Sequence, residues 1–210
     1  MMKKITLSIL LTLVAGIVFS QQNTSKEYNS IDSALLNPEK VVRLTLNNQK
    51  IDIATAIWKQ FINLEYLSLV NDGLTELPLG LTDLQSLKIL DLSSNSFIEL
   101  PVDFFKLRNL EELYLNDEKN LNLESAIQVL VKLPKLKSLH LENDRIRNIP
   151  SDISKLANLE FLYINNNKLK EVPEQVLKIQ SIKFIDIHEN NIESKNWNGK
   201  NLYSNITIKF

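Results

Sequence analysis

The sequence predicts a horseshoe-shaped α/β solenoid, with a parallel β-sheet on the concave face and 3₁₀ or short helical turns on the convex face. The pattern L-x-x-L-x-L-x-x-N-x-L, or a close copy, occurs seven times. Successive copies begin 23 residues apart, except for one interval of 26 residues. Units of this length cannot bury an apolar face alone, so neighbouring units stack around one continuous core. The copies begin at Val41, Leu64, Leu87, Leu110, Leu136, Leu159 and Ile182.

Each copy contains a short strand that ends at its ninth position. In the copy from Leu87, Leu90 and Leu92 alternate with polar residues, as a strand with one buried face requires. An Asn at the ninth position can turn inward and bond to backbone groups, forming a ladder along the solenoid. The ladder positions are Asn95, Asn167 and Asn190, the substitutes Gln49, Asp72 and Asp144, and Glu118, which is the poorest fit.

The segment after each strand returns along the convex side. Four copies carry an apolar residue followed by Pro, as in Leu77-Pro78, and proline suits a bend because it removes a donor and fixes φ. Apolar residues then recur at three-residue steps, which predicts 3₁₀ or short helical turns. The longer repeat has helically spaced apolar residues in the segment 120–132, so we expect a helix there. This insertion is either a tolerated change in the surface or a protruding contact element.

The second position of the repeat indicates how the strands align. From the second copy onward its charge alternates in sign without a break. Adjacent strands lie ~4.8 Å apart, so parallel, in-register stacking would place each charge beside an opposite one. The position is occupied by Val42, Glu65, Lys88, Glu111, Lys137, Glu160 and Lys183.

The N-terminus has the pattern of a secretory signal peptide. Lys3 and Lys4 precede a 15-residue, mostly apolar stretch, and Val18 and Ser20 suit the −3 and −1 positions of a cleavage site. An uncleaved anchor is the alternative, but the stretch is short for a membrane span. We therefore expect a secreted or periplasmic protein that is not inserted in a membrane after cleavage. The predicted organisation is a signal peptide (1–20), a disordered tether (21–27) and one repeat domain (28–210), divided into an N-terminal cap (28–40), repeats (41–192) and a C-terminal cap (193–210).

Both ends of a solenoid need a cover for the apolar core. At the N-terminal end, Ser30 is expected to cap a short helix over residues 31–36, which Asn37-Pro38 ends. At the other end, residues 203–208 copy the strand pattern and predict a truncated eighth strand, with Trp197 and Phe210 available to close the core.

Composition narrows the possible functions. The chain has no cysteine, so no disulfide stabilises it and the fold depends on its core. Without Lys3 and Lys4 the chain has 22 basic and 25 acidic residues. The sequence shows no basic patch, so nucleic-acid binding is not predicted.

These repeats resemble the typical 23-residue class of leucine-rich repeats over roughly residues 41–192. The opening Tyr28-x-x-Ile31-x-x-Ala34-Leu35-x-Asn37-Pro38-x-x-Val41 is similar to the N-terminal cap of secreted bacterial members, as in the Bacteroidetes and spirochaetes. The lack of the Cys-rich caps that are common in extracellular animal and plant relatives agrees with a bacterial origin. The resemblance implies binding of a protein or another ligand on the concave face, and it supplies no universal site residues.

The concave face of the second half carries the candidate binding surface. Side chains at the third, fifth and seventh positions point out of the sheet, and several of them are aromatic in consecutive repeats. Clustered exposed aromatic residues often anchor a partner, although they can equally pack on one another across strands. The first half presents small polar side chains such as Thr45 and Ser68 and looks inert. The predicted partner-binding residues are Tyr114, His140, Phe161, Tyr163, Phe184 and Asp186, edged by Glu112, Glu142 and His188.

Catalytic arrangements are poorly supported. Ser138, His140 and Glu142 share one strand face, but alternate residues lie ~6.6 Å apart and rarely meet in hydrogen-bond geometry. Asp91 and Glu112 could approach the spacing of an inverting glycosidase, about 6.5–9.5 Å, yet no cleft surrounds them. His140 and His188 are too far apart along the solenoid to share a metal ion.

We therefore predict a non-catalytic, monomeric protein-binding module without cofactor or metal, whose protein partner contacts the concave face. The alternative is a structural or adhesion spacer of the cell envelope. Clustered Tyr and Phe on the open face favour the binding module, because a spacer has no need of them.

Overall fold

One parallel sheet runs through the residues that a computed structural model describes, namely 27–51, 55–193 and 205–210. Within these residues nine strands lie in sequence order, each paired in parallel with the next, and this confirms the solenoid fold. The strands of the seven predicted repeats are β2 to β8. The strands are β1 (Glu27–Tyr28), β2 (Arg43–Thr45), β3 (Tyr66–Ser68), β4 (Ile89–Asp91), β5 (Glu112–Tyr114), β6 (Ser138–His140), β7 (Phe161–Tyr163), β8 (Phe184–Asp186) and β9 (Thr207–Lys209).

Short helical segments form the return path after the strands. The helix predicted in the long repeat is present, and its first turn is capped by the side chain of Asn122, which accepts a hydrogen bond from Ser125 N at 3.2 Å. Pro101 and Pro150 stand immediately before two of the 3₁₀ segments, where extended backbone turns into the first tight turn. The α-helices are α1 (Ile31–Leu35), α2 (Thr55–Trp58), α3 (Leu123–Leu130) and α4 (Glu174–Leu177), and the 3₁₀ segments are Pro38–Lys40, Leu81–Asp83, Val102–Lys106 and Ser151–Lys155.

A single apolar core fills the space between the sheet and the helical segments. Leu87, Leu90 and Leu92 are fully buried, as are the equivalent residues of the other repeats. Phe97 and Phe104 fill the wider space beneath the convex turns and are also fully buried. Each buried leucine or phenylalanine contributes about 1.5–3 kcal/mol, so this repeated packing stabilises a chain that has no disulfide.

The two predicted caps can be compared with the structure in part. Ser30 Oγ accepts a hydrogen bond from Ser33 N at 3.3 Å, and α1 ends at Leu35, one residue before the predicted end. The predicted C-terminal strand is present as β9, while Trp197 lies outside the described residues. The signal peptide and residues 21–26 of the tether also lie outside them. In the part of the chain that the structure describes, no helix is long and apolar enough to cross a membrane.

An additional strand, β1, precedes the predicted repeats. Glu27, which the sequence analysis assigned to the disordered tether, instead pairs with Arg43, and its Oε1 accepts a hydrogen bond from Thr45 Oγ1 at 2.6 Å. The side chain of Gln49 also departs from expectation: it is exposed and donates to the Asn29 carbonyl at 2.9 Å instead of turning inward. Side-chain hydrogen bonds thus join the N-terminal cap to the first repeat.

The predicted asparagine ladder is confirmed. Asn167 is buried, and its Oδ1 accepts hydrogen bonds from Asp144 N at 3.1 Å and Ile146 N at 2.8 Å. Its Nδ2 donates to the carbonyls of Leu141 at 2.7 Å and Ile164 at 3.1 Å. One amide thus joins two neighbouring repeats and satisfies buried backbone groups that no strand pairing reaches. The other ladder asparagines are Asn95 and Asn190.

Glu118 was expected to be the poorest fit in the ladder, and this expectation is wrong. Only 1% of its surface is exposed, and its two carboxylate oxygens accept hydrogen bonds from Asn95 N at 2.6 Å and Phe97 N at 2.9 Å. The longer side chain of Glu allows the carboxylate to bridge both N–H groups. Asp144 continues the ladder, because its Oδ1 accepts a hydrogen bond from Glu118 N at 2.6 Å.

A second row of polar side chains, which the sequence analysis missed, lies one residue before the ladder. Every residue at this eighth position has a positive φ, between 53° and 65°. Asn and Asp tolerate this backbone conformation better than most residues. Asn71 Nδ2 donates to Asn48 Oδ1 at 2.6 Å, and Asn166 Nδ2 donates to Asn143 Oδ1 at 3.2 Å. The eighth-position residues are Asn48, Asn71, Ser94, Asp117, Asn143, Asn166 and Glu189.

The charges at the second repeat position pair across strands as their alternation predicts. Three oppositely charged pairs lie within 2.8 Å, and their side chains are partly solvent-exposed. Exposed pairs of this kind stabilise a fold by less than about 1 kcal/mol, so their main effect is on strand register. The pairs are Glu65–Lys88, Glu111–Lys137 and Glu160–Lys183.

Candidate functional site

Four rings form a continuous row across β5 to β8 on the concave face. Tyr114 and His140 stack with centroids 3.8 Å apart and planes 17° apart. His140 and Tyr163 stack at 4.3 Å and 7°, and Tyr163 meets Phe184 at 5.5 Å in a tilted arrangement. The first three residues are directly paired in the strand register, so parallel stacking of the strands also stacks their rings.

The imidazole of His140 lies between two carboxylates as well as between two rings. Its Nε2 is 3.0 Å from Glu112 Oε1, and its Nδ1 is 3.3 Å from Glu142 Oε2. The hydroxyl of Tyr114 donates to the same Glu112 oxygen at 2.7 Å. Only 8% of the surface of His140 is exposed. Two carboxylate acceptors are matched only by an imidazolium, because a neutral imidazole has a single N–H to donate.

The electrostatics of this cluster favour the charged form of His140. Burial opposes the charge, but the hydrogen bonds to Glu112 and Glu142 outweigh it and raise the pKa of His140 above its usual value. Burial likewise opposes ionisation of Glu112, yet its hydrogen bonds with His140 and Tyr114 lower its pKa. Burial, followed by the charge of Glu112, raises the pKa values of Tyr114 and Tyr163. The arrangement is thus an imidazolium held by two carboxylates between two neutral phenols.

Phe161 and Phe184 form an apolar strip beside the stack of Tyr114, His140 and Tyr163. The two residues are partners in the register of β7 and β8, and both are half-buried. Together with Tyr114, His140 and Tyr163 they form a surface that we call the aromatic patch. Its solvent-accessible part is contributed mainly by the tyrosines and phenylalanines, since His140 is buried between rings. The structure brings these five predicted residues together, and their contact with a partner stays a prediction.

Asp186, the sixth predicted partner-binding residue, has close internal partners. Its Oδ1 is 2.5 Å from His188 Nδ1, and its Oδ2 is 2.9 Å from Lys209 Nζ on β9. Only 5% of Asp186 is exposed. These contacts attach the C-terminal strand to the last repeat. A role of Asp186 in partner binding stays a prediction, and its geometry indicates a contribution to the cap.

The first half of the concave face has one feature that the sequence analysis did not identify. The guanidinium of Arg43 lies 3.8 Å from the centroid of the Tyr66 ring, within the range of a cation–π interaction. Both residues occupy the third repeat position on adjacent strands. Their spacing of 23 residues in the sequence is the observation from which this contact could have been expected.

The arrangement of the carboxylates and histidines does not match the catalytic alternatives. Both ring nitrogens of His140 face carboxylates, so neither is left to accept a proton from Ser138. Glu112 bonds to His140 and Tyr114, and Asp91 Oδ1 accepts a hydrogen bond from Ser93 N at 3.0 Å. The described ranges contain no group of three or more His, Cys, Asp or Glu side chains placed to hold a metal ion.

Comparison of the sequence with known protein families identifies the family of this chain. The leucine-rich-repeat profile matches residues 62–119 and 134–192, which together make up more than half of the chain, and the protein belongs to the leucine-rich-repeat family. Leucine-rich-repeat domains generally mediate protein–protein interactions and are generally not enzymes. No curated protein sequence matches the chain significantly.

Solved structures support the same fold. Toll, in its complex with Spatzle from Drosophila, is 18% identical, with a TM-score of 0.64 over 82% of this chain and 23% of that chain, and shows the fold alone. An internalin from Listeria monocytogenes is 27% identical, with a TM-score of 0.57 over 75% of this chain and 44% of that chain. TLR13 in complex with ssRNA13 is 26% identical, with a TM-score of 0.62 over 81% of this chain and 24% of that chain. The chain spans less than half the length of each of these proteins.

Proposed function

We propose that the protein is an exported, monomeric, non-catalytic binding module of bacterial origin that holds a protein partner on the aromatic patch. The continuous row of rings from Tyr114 to Phe184 carries this proposal. Large amphipathic side chains that are already fixed in position lose little conformational entropy on binding, which makes them suitable anchors for a partner. The family agrees with this class of function, since leucine-rich-repeat domains generally mediate protein–protein interactions.

Export rests on the pattern of residues 1–20. We expect the protein isolated from the envelope or the medium of its source cells to begin at Gln21. Intact mass measurement would detect the loss of the first 20 residues. A product that keeps Lys3 and Lys4 would contradict cleavage and favour the uncleaved anchor.

The aromatic patch can be tested with two matched double variants. Phe161→Ala with Phe184→Ala removes the apolar strip at the third repeat position and leaves the Tyr114–His140–Tyr163 stack in place. Tyr66→Ala with Ile89→Ala changes the same repeat position in the first half of the sheet. We expect the first variant to lose at least about tenfold in affinity, because half-buried aromatic anchors commonly contribute more than about 1.4 kcal/mol each. The control should bind like the wild type.

The measurement is a pull-down from envelope and medium fractions, followed by titration of the captured protein. Circular dichroism at the working temperature checks that both variants keep the native sheet. Equal capture by wild type and the Phe161/Phe184 variant, both folded, would remove the apolar strip of the patch as a contact surface.

A structural spacer is the second candidate function. The observation that favours it is that two of the predicted binding residues have internal partners: His140 is enclosed by two rings and two carboxylates, and Asp186 is attached to the cap. A spacer would capture no protein from either fraction, and truncating the patch would change its stability without changing any interaction.

A further inference from the structure

The buried ladder contains aspartates at positions where the fold uses a side-chain amide. In Asn95, Asn167 and Asn190 the side-chain Oδ1 accepts from a backbone N–H, while Nδ2 donates to three backbone carbonyls. Two of these carbonyls belong to the residues two and three positions earlier, and the third belongs to the preceding repeat. The ladder position therefore requires both an acceptor and a donor.

Asp144 fills this position with only half of the required hydrogen bonds. Its Oδ1 accepts from Glu118 N at 2.6 Å, in the same way as a ladder asparagine. Its Oδ2 is completely buried and has no hydrogen-bond partner in the structure. An ionised carboxylate can only accept, and backbone carbonyls cannot donate to it. The residue is 7% exposed, so water does not readily compensate.

The neighbouring ladder acid is satisfied in a different way. Glu118 receives a backbone N–H at each of its oxygens, from Asn95 and Phe97, and this is the environment of a carboxylate. The two acids thus occupy consecutive ladder positions: Glu118 follows β5, and Asp144 follows β6. Geometry distinguishes them: Glu118 has two donors facing it, and Asp144 has one donor and one unpaired oxygen.

We propose that Asp144 carries a proton in the folded protein, with its Oδ2–H taking the place of the side-chain N–H of a ladder asparagine. The packing of the repeat that contains β5 against the repeat that contains β6 is therefore more stable in acid than in alkali. Protonation converts the unpaired acceptor into a donor, which is the role that Nδ2 has in the ladder asparagines. The same change removes a negative charge from beside Glu118. This inference concerns the solenoid itself and does not depend on the proposed function.

The surrounding charges act in the same direction. Burial raises the pKa of Asp144 to about 8, opposed by the N–H of Glu118 and reinforced by the carboxylates of Glu118, Asp117 and Glu142. The next repeat presents the neutral amide of Asn167. Burial also raises the pKa of Glu118 to about 7, although Phe97 N and Asn95 N lower it and Asp117 raises it.

The sign of the pH dependence follows from these raised values. A carboxyl group whose folded pKa exceeds its unfolded value of 3.8 contributes stability that is fully present below that value. The contribution is lost as the pH rises toward the folded pKa of about 8. The weakening should therefore develop between about pH 4 and pH 8.

Asp72 provides a second instance of the same geometry. Its Oδ1 accepts from Gln49 N at 2.8 Å, its Oδ2 is buried without a partner, and burial raises its pKa. No charged side chain contributes to that shift, whose opposing contributions come from backbone groups. Asp72 thus allows the effect of the unpaired oxygen to be separated from repulsion between acids.

The test is the thermal stability of the full chain between about pH 4 and pH 9, for wild type, Asp144→Asn and Asp152→Asn. The amide supplies the missing donor without a proton, so Asp144→Asn should match the wild type near pH 4. At pH 8 its Tm should be at least about 2–4 °C higher. Asp152→Asn removes a surface carboxylate that pairs with Lys155 at 2.9 Å, and its effect should not grow with pH in this range.

An Asp144→Asn variant whose Tm equals or falls below that of the wild type at pH 8 would overturn the proposal. Should that variant not fold, carboxyl ¹³C titration of the wild type decides the matter. An Asp144 midpoint above pH 7 supports a retained proton, and a midpoint near the ordinary value of 3.8 contradicts it. Asp72→Asn should also show an advantage over wild type that grows with pH.

Discussion

Replacing Asn167 by alanine should lower the free energy of unfolding by about 3–5 kcal/mol. The side chain bonds to two N–H groups and three carbonyls, and all five lose a partner when it is truncated. Each buried, unsatisfied polar group costs about 1–3 kcal/mol, and relaxation around the site keeps the total below a simple sum. Domains of this kind are stable by about 5–15 kcal/mol, so the variant would lie close to its folding threshold.

Urea denaturation at neutral pH measures this loss. Asn165→Ala is the matched control, because Asn165 lies two residues earlier, half-buried on the concave side, and belongs to no ladder. The control should change stability by less than about 0.5 kcal/mol. Equal losses in the two variants would show that the ladder amide has no special role.

Replacing His140 by phenylalanine should lower stability by about 3 kcal/mol in mildly acidic solution. Phenylalanine keeps a ring between Tyr114 and Tyr163 but removes both N–H groups, which leaves Glu112 and Glu142 without their cation. Breaking a largely buried ion pair by removing one partner costs about 3–5 kcal/mol, and the partial exposure of Glu142 places the expected loss at the lower end.

This loss should depend on pH in a defined direction. Because the folded pKa of His140 is raised above 6.5, its stabilising contribution is fully present below pH 6.5 and is lost as the pH rises through the folded pKa. The pKa of Glu112 is lowered below 4.5, so the contribution of its carboxylate is present above pH 4.5 and is lost as the pH falls through its folded pKa. The difference in free energy of unfolding between wild type and His140→Phe should therefore be largest between pH 4.5 and pH 6.5.

Denaturation of wild type and His140→Phe at several pH values would measure the difference. His188→Phe is the control, since His188 also bonds to a carboxylate but lies at the more exposed edge of the sheet, and its loss should be smaller. A difference for His140→Phe that stays constant from pH 5 to pH 9 would show that an uncharged imidazole stabilises the stack equally well.

The fold and the position of the aromatic patch could be predicted because both follow from the 23-residue period. In-register stacking fixes which side chains are neighbours, so Glu111 beside Lys137, and Tyr114 beside His140, follow from counting residues. The helix α3 was predicted for a similar reason, since its apolar residues have helical spacing.

The features that could not be predicted from the sequence depend on side-chain geometry or lie outside the periodic repeats. Glu118 receives two N–H groups on two separate oxygens, and a pattern match counts such a residue as a mismatch. The enclosure of His140 depends on rotamers that place Glu112 and Glu142 on either side of the ring. Strand β1 precedes the repeats, so no periodic spacing announces it.

The strict sequence order of the sheet has an evolutionary consequence. Each strand pairs only with the strands that precede and follow it. Duplication of one unit between β2 and β3 would lengthen the molecule by one strand spacing, ~4.8 Å, and leave every neighbour of the patch unchanged. Insertion of a different unit between β5 and β6 would separate Tyr114 from His140 and Glu118 from Asp144. Gain or loss of copies is thus open to a lineage in the first half of the gene, while the junction after β5 is the place where selection would resist it.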